Sequence, residues 1–404
     1  MFNAVGIDVS KQKSTVAVLQ PAGIIVRKPF DVPHTKEGLN GLVDYIQSLD
    51  GETKVVMECT GHYHEPVLKA IYDAGIYVSA VNPCLIKRFG NNTVRKVKSD
   101  PADAKKIARY TLDNWSELRH YSVMDETRKQ LKALNMQFDF LMKQKCAAKC
   151  NLISLLDHTY PGVNTLFDSP VREDGSEKWV DFAYTFWHVD CVVGGSLNAF
   201  SKHYERFCRK HRYQFQQQKA EDIYKAAKEL YAVYPKEMSY RDVIHMSIEN
   251  LRSLSRQVET LRAKMNEVAS TLPEYDVVLS MRGVGPTLGP QLMAEIGDIR
   301  RFKKREALTA YAGVDPGVNE SGDFKAKSNR ASKCGPPRLR KTLFQIMATL
   351  IQLMPTDDPV YRFIDKKRSE GKKYHVYMTA GANKFLRIYY GKVKEHLASL
   401  DDEK

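Results

Sequence analysis

Four acidic residues have types and surroundings suited to holding a divalent metal. Asp8 stands in an apolar run, Gly6-Ile7-Asp8-Val9-Ser10-Lys11, and Glu58 closes a second, Val55-Val56-Met57-Glu58-Cys59-Thr60-Gly61. A carboxylate among apolar strand residues is costly to bury unless a cation or hydrogen bonds satisfy it. Asp100 and Asp103 follow in Lys98-Ser99-Asp100-Pro101-Ala102-Asp103-Ala104-Lys105. Pro101 suits the first turn of a helix, which makes Asp100 the expected N-cap and sets Asp103 one turn on, along the same side. Alone, each acid reads equally as a turn or capping carboxylate favoured by the helix dipole. As a set they offer the hard oxygen ligands that magnesium prefers, and two such ions about 4 Å apart can drive phosphodiester chemistry.

The elements that must position these acids are legible in the same stretch. Val5 to Val9, Ser14 to Leu19 and Ile24 to Arg27 read as three short strands, with Pro21-Ala22-Gly23 as one of the turns. Lys36 to Ser48 reads as an amphipathic helix, followed by a strand at Lys54 to Met57, a helix from His64 to Ala74, a strand at Tyr77 to Val81 and a helix from Pro101 to Tyr110. A three-strand meander followed by alternating helices and strands is an α/β pattern. Beyond it, Glu126 to Leu156 has helical spacing, and Leu251, Leu254, Val258, Leu261, Met265, Val268 and Leu272 step as a heptad. That seam fits a partner chain or an antiparallel helix of the same chain. Residues 160 to 240 are rich in aromatics, from Trp179 to Phe215, which fits a small core better than a base-stacking surface.

With 404 residues, 43% of them hydrophobic and 27% charged, the chain is long enough for two or three domains and too apolar to be mostly disordered. Its net charge of +14 points to a polyanionic partner, nucleic acid rather than a membrane, since no basic amphipathic anchor stands out. The excess is concentrated late, with 12 Lys+Arg against 4 Asp+Glu over residues 300 to 341 and 10 against 4 over 357 to 394. Seven cysteines without a C-x-x-C pair imply neither a zinc site nor a disulfide framework, and Cys146 and Cys150 read as packing residues. No segment reaches the length of a membrane span and no leader pattern opens the sequence, so a cytoplasmic protein is expected.

The words G-I-D-V-S-K, M-E-C-T-G-H-Y, V-N-P-C and K-S-D-P-A-D-A-K-K-I-A, within the first 112 residues, resemble the DEDD insertion-sequence transposases related to the Piv DNA invertase, insertion-sequence family one-ten. A second stretch agrees in order: Arg282-Gly283-Val284-Gly285-Pro286, Ala310-Tyr311-Ala312-Gly313-Val314-Asp315-Pro316, Glu320-Ser321-Gly322, Ser332-Lys333-Cys334-Gly335 and Leu339-Arg340-Lys341. Two features depart from the family pattern. The middle is longer, and Pro336-Pro337 stand where the family continues differently.

The resemblance implies an α/β ribonuclease-H-like (RuvC-like) domain over residues 1 to 112, a helical, coiled-coil middle over 113 to 274 carrying the aromatic insertion, and a mainly α C-terminal transposase domain over 275 to 404. It implies a transposase or site-specific recombinase that cleaves and rejoins DNA. Asp8, Glu58, Asp100 and Asp103 would hold Mg2+ or Mn2+, and Ser321 would be the nucleophile of a composite site, with Ser328 and Ser332 its competitors in the same basic segment. Arg282, Gly283 and Gly285, in a helix-hairpin-helix-like turn, and Lys333, Arg338, Arg340 and Lys341 are the expected nucleic-acid contacts. The implied partners are element-end and target DNA, an element-encoded noncoding guide RNA, and further copies of the chain as a dimer or tetramer. A metal-dependent structure-specific endonuclease and a non-catalytic nucleic-acid-binding protein are the alternatives.

Overall fold

Alternating apolar residues in the first 33 positions form three antiparallel strands, β1 (Phe2–Val9), β2 (Lys13–Gln20) and β3 (Ile24–Pro33). The β2–β3 turn is tight because Ala22 and Gly23 take positive φ, 62° and 77°. There follow α1 (Lys36–Gln47), capped by Thr35 Oγ1 accepting the Gly38 N–H, then β4 (Glu52–Glu58), α2 (Glu65–Asp73), β5 (Val78–Val81), α3 (Pro83–Arg88) and α4 (Asp100–Asp113). β4 lies parallel beside β1 and β5 parallel beside β4, so the sheet order is β3-β2-β1-β4-β5. A meander extended by parallel crossover strands is a ribonuclease-H-like arrangement. The computed structural model describes residues 2–59, 61–89, 99–121, 125–236, 238–317, 320–321, 324–325 and 330–402.

The chain divides into two compact units, residues 1–123 and 124–404. In the first, the period of two sends Val5, Ile7, Val55 and Met57 to one sheet face, where they pack with Leu42 and Ile46 of α1 and Val67, Leu68 and Ile71 of α2. The other face receives α4, whose Ile107 packs with Val56, Val81 and Ile86.

The second unit is mainly helical: α5 (Glu126–Leu156), α6 (Lys178–Thr185), α7 (Asp190–Val193), α8 (Leu197–Lys210), α9 (Gln217–Glu229), α10 (Met238–Ser270), α11 (Tyr275–Leu279), α12 (Leu288–Ile296) and α13 (Arg305–Ala312). A two-strand hairpin, β6 (Glu320–Ser321) with β7 (Phe324–Lys325), precedes α14 (Pro337–Leu353), α15 (Pro359–Ser369) and α16 (Tyr374–Asp402). Leu131, Phe138 and Leu141 of α5 share a core with Leu254, Val258 and Met265 of α10 and with α12, α14 and α16. The other halves of the same two helices, Leu152 and Leu156 with Ile244, Ile248 and Leu251, close over the aromatic residues Trp179, Phe182, Phe186, Phe200, Tyr204 and Phe207.

Several expectations change. The heptad face of α10 meets α5 of the same chain, so the middle region is an antiparallel helix pair built into two cores rather than a free-standing coiled coil. One hydrophobic core holds residues from both sides of position 274, with Val258 and Met265 in the same cluster as Leu292 and Leu343. The aromatic segment is a core, as its composition favoured. Cys146 and Cys150, expected to pack, are exposed on the outer side of α5. The Pro336-Pro337 departure leaves the start of α14 regular, since a proline at the first helical position forfeits an N–H that has no intrahelical partner there.

Candidate functional site

Asp8 lies near the C-terminal end of β1 and Glu58 ends β4. The two strands run side by side with Gly6 beside Val56 and Ile7 beside Met57, so the register continues to Asp8 beside Glu58. Strand alternation puts both acids on the face that receives α4, because Val5, Ile7, Val55 and Met57 occupy the opposite one. Both acids are half-buried.

α4 brings the other pair. Its buried stripe, Ala104, Ile107, Ala108 and Thr111, continues at helical spacing toward Asp103, which is half-buried, and Asp100, which is exposed. Asp100 is the first helical residue rather than the N-cap. Ser99 takes the cap position, and its carbonyl accepts the Ala102 and Asp103 N–H groups. Both acids therefore sit in the first turn, where the helix dipole favours them. α4 packs on both β1 and β2, and although Asp31 chiefly raises the Lys13 pKa, the Asp100 charge adds to it, as a helix start near the beginning of β2 requires.

Gly6 makes this approach possible. A Cβ there would collide with the Ala108 amide nitrogen and the Ala104 carbonyl, so α4 lies directly on the β1 backbone two residues before Asp8. Gly6→Ala is expected to lower the thermal midpoint of the first unit, at a cost of about 1–3 kcal/mol, because the obstructing atoms are backbone and cannot rotate away. Calorimetry of the full chain measures it.

The four acids thus share one end of one sheet face, but they are not drawn into a closed cage. Among the described residues, no three His, Cys, Asp or Glu side chains converge closely enough to hold a metal ion. The donor chemistry, four carboxylates, suits a hard divalent cation. Sequence reading missed a neighbouring group: Thr15 pairs across from Asp8, and its hydroxyl donates to Asp31 of β3 at 2.7 Å. Lys13 Nζ pairs with the same carboxylate at 2.5 Å, and that hydrogen bond holds Asp31 below its ordinary pKa while raising Lys13. Only the strand register reveals this row.

In the second unit, Ser321 ends β6 and pairs opposite Phe324 in the two-strand hairpin. Ser328 lies outside the described residues, as does Gly322. Ser332 donates its hydroxyl to Asp315 Oδ1 at 2.8 Å, within a ladder in which Ser332 and Lys333 amides bond to Asp315 and Gly313 carbonyls. Lys333 is exposed, with φ +53°.

The glycine turn joins α11 to α12. Gly283, at φ +79°, packs on α14, where a Cβ would lie 3.0 Å from Leu350 Cγ and 3.2 Å from the Ile346 carbonyl, whereas Gly285 faces open space. Arg282 is exposed and pairs with Asp357 at 3.2 Å. The expected basic surface on α14 is partly engaged internally. Arg340 is turned inward, its Nη1 donating to the carbonyls of Gly335 at 2.7 Å and Ala312 at 3.2 Å, so it clamps the Gly313–Gly335 junction instead of presenting charge to a ligand. Arg338 and Lys341, each still partly exposed, reach Asp139 of α5 at 3.3 Å and 3.0 Å. Burial raises the Asp139 pKa, but hydrogen bonds from Lys341 and Lys143 outweigh that and hold it at about 2.

Comparison with known proteins matches two family models to this chain. One, a DEDD IS110-type transposase, covers residues 5–161, and the other, described as a transposase of the IS116/IS110/IS902 family, covers residues 275–362. The IS117 mini-circle protein of Streptomyces coelicolor is 24% identical over 390 residues, spanning 94% of this chain and 91% of its own length. The pilin gene-inverting protein of Moraxella bovis is 24% identical over 152 residues, 37% of this chain and 47% of its own. Among solved structures, RuvC of Thermus thermophilus aligns over 28% of this chain and 96% of its own, at 18% identity and a TM-score of 0.23. No helix of the described residues is long and apolar enough to cross a membrane.

Proposed function

Because the chain belongs to the IS110 family of insertion-sequence transposases and recombinases, we propose that it breaks and rejoins DNA through an acid-held divalent metal and a serine nucleophile. The observation that carries the metal assignment is the common face of Asp8 and Glu58, with the Asp100–Asp103 turn of α4 at the same sheet end. These four residues would hold Mg2+ or Mn2+, which when bound supplies Lewis-acid polarisation of a phosphodiester. Ser321 forms a bond from Oγ to the phosphorus as its hydroxyl proton leaves, and the strand's departing oxygen takes up a proton. The phosphoserine link retains the phosphodiester's energy, so the strand can be resealed without another energy source.

Arg282, Lys333, Arg338 and Lys341 serve as phosphate contacts along the C-terminal unit, and the backbone amides at Gly283 and Gly285 assist. Arg340 stays with its carbonyls. Element-end and target DNA are the substrates, a noncoding RNA encoded beside the protein is the guide, and the chain acts as a dimer or tetramer.

Incubating the full chain with element-end DNA and Mg2+, with and without the element's noncoding RNA, tests this on a denaturing gel. A metal-dependent covalent protein–DNA band that requires the RNA is the expected result. Efficient cleavage with no covalent band means that a metal-activated water attacks and the protein is an endonuclease. An equal band without RNA removes the guide.

A further inference from the structure

A cavity of about 470 Å³ lies between the loop 172–177, the C-terminal turn of α8 and the middle of α10. All of its lining residues fall outside the two segments matched to the transposase family. Gly175 seats the loop on α10: at φ +81°, a Cβ there would lie 3.1 Å from both Ser255 Cβ and the Ser255 carbonyl oxygen. From the same loop, Arg172 reaches the end of α8, donating to the carbonyls of His211 at 3.0 Å and Arg212 at 3.1 Å, with its guanidinium 4.0 Å over the Tyr213 ring. The carbonyl end of α8, which would repel an anion, is thereby covered by a cation.

The acids of the wall are already engaged. Asp181 accepts from Tyr213 at 2.8 Å and Arg252 at 2.7 Å, and Glu249 pairs with Arg252 at 2.7 Å. Glu177 pairs with Lys149 at 2.6 Å and accepts the Trp179 indole N–H at 2.8 Å. Asp174 accepts the Ser176 N–H at 2.9 Å. Lys210, Arg212 and Arg256 are different: all three are exposed, and none makes an ion pair among the described residues. Arg212 holds φ +55° as the left-handed residue that ends α8, its N–H bonded to the Arg209 carbonyl and that of Tyr213 to the Cys208 carbonyl. Arg172, donating to the Arg212 carbonyl, braces the same turn at the cavity.

We infer that this cavity binds phosphodiester groups of a nucleic-acid strand, with Lys210, Arg212 and Arg256 as the phosphate contacts. The inference rests on the reading that the chain works on nucleic acid, and it gives the aromatic insertion a purpose, because its core holds the cavity walls in place.

The test measures binding of the full chain to a labelled DNA duplex and to a labelled single-stranded RNA, from about 50 to 200 mM salt. The triple variant Lys210→Gln, Arg212→Asn, Arg256→Gln removes the three charges, and asparagine keeps the left-handed backbone at 212. Near-UV circular dichroism, which reports the aromatic core, is expected to match wild type. In the arm whose strand occupies the cavity, the slope of log affinity against log salt becomes shallower by about 2.7 for duplex DNA or about 2 for single-stranded RNA. Should the triple variant fail to fold, Arg256→Gln alone, on an exposed face of α10, shallows the slope by about 0.9 or about 0.7. Unchanged slopes in both arms, with wild type binding, overturn the cavity assignment alone. Wild type binding neither strand overturns the nucleic-acid reading beneath it.

Discussion

Asp8→Asn is expected to abolish strand cleavage, by roughly a thousandfold or more, and to leave the five-stranded sheet intact. Asparagine matches aspartate in size and keeps hydrogen-bonding capacity at this half-buried strand position. What it loses is the negative charge that, in the proposed site, would anchor a divalent ion. Several kcal/mol of transition-state stabilisation by a metal corresponds to three or more decades in rate. The same variant is expected to lose most of the rise in thermal midpoint expected of wild type with Mg2+, since a ligand that binds only the folded state stabilises it by mass action. Asp31→Asn is the internal comparison. Asp31 shares the row with Asp8 and Thr15 but already pairs with Lys13, so its substitution is expected to change cleavage far less. Single-turnover cleavage and calorimetry with and without Mg2+ check both, and unchanged cleavage by Asp8→Asn would remove the carboxylate assignment.

Ser321→Ala is expected to remove the covalent protein–DNA link and strand exchange while sparing DNA binding and any metal-dependent rise in midpoint. The change deletes one oxygen from a hairpin residue and leaves the four acids untouched. Ser332→Ala is the contrast, since Ser332 Oγ is hydrogen-bonded to Asp315 and its loss is expected to loosen the 313–333 ladder without removing the link. A covalent complex persisting in Ser321→Ala would place the nucleophile elsewhere.

The first unit was legible because strand alternation and helix spacing are local. The run from Val5 through Asp8 carries its own face assignment, and α5 runs over Glu126–Leu156, the span its spacing indicated. Asp31 was invisible for a complementary reason: which residue of β3 faces Thr15 depends on register shifts between Val16 and Leu19 that no local pattern encodes. α10 begins at Met238, well ahead of the heptad at Leu251, because its first turns bury Ile244 and Ile248 against the aromatic core among polar neighbours such as Arg241, Asp242 and Glu249. Arg340 was assigned outward from a basic run, since charge patterning cannot show a guanidinium turned back onto carbonyls. Asp100 shifted from cap to first turn because the Ser99 carbonyl accepts the first helical hydrogen bonds.

The two long helices α5 and α10 thread both cores of the second unit, with Ala148 of α5 touching each. Excising residues 160 to 240 from such a frame would strip cover from Leu152, Leu156, Ile244, Ile248 and Leu251 while leaving them on rigid rods. A lineage that shortens this region therefore has to remove whole turns from both helices together, or meet aggregation through a bare apolar stripe. Length variation in the middle of such proteins should come in paired helical steps rather than as single loop deletions.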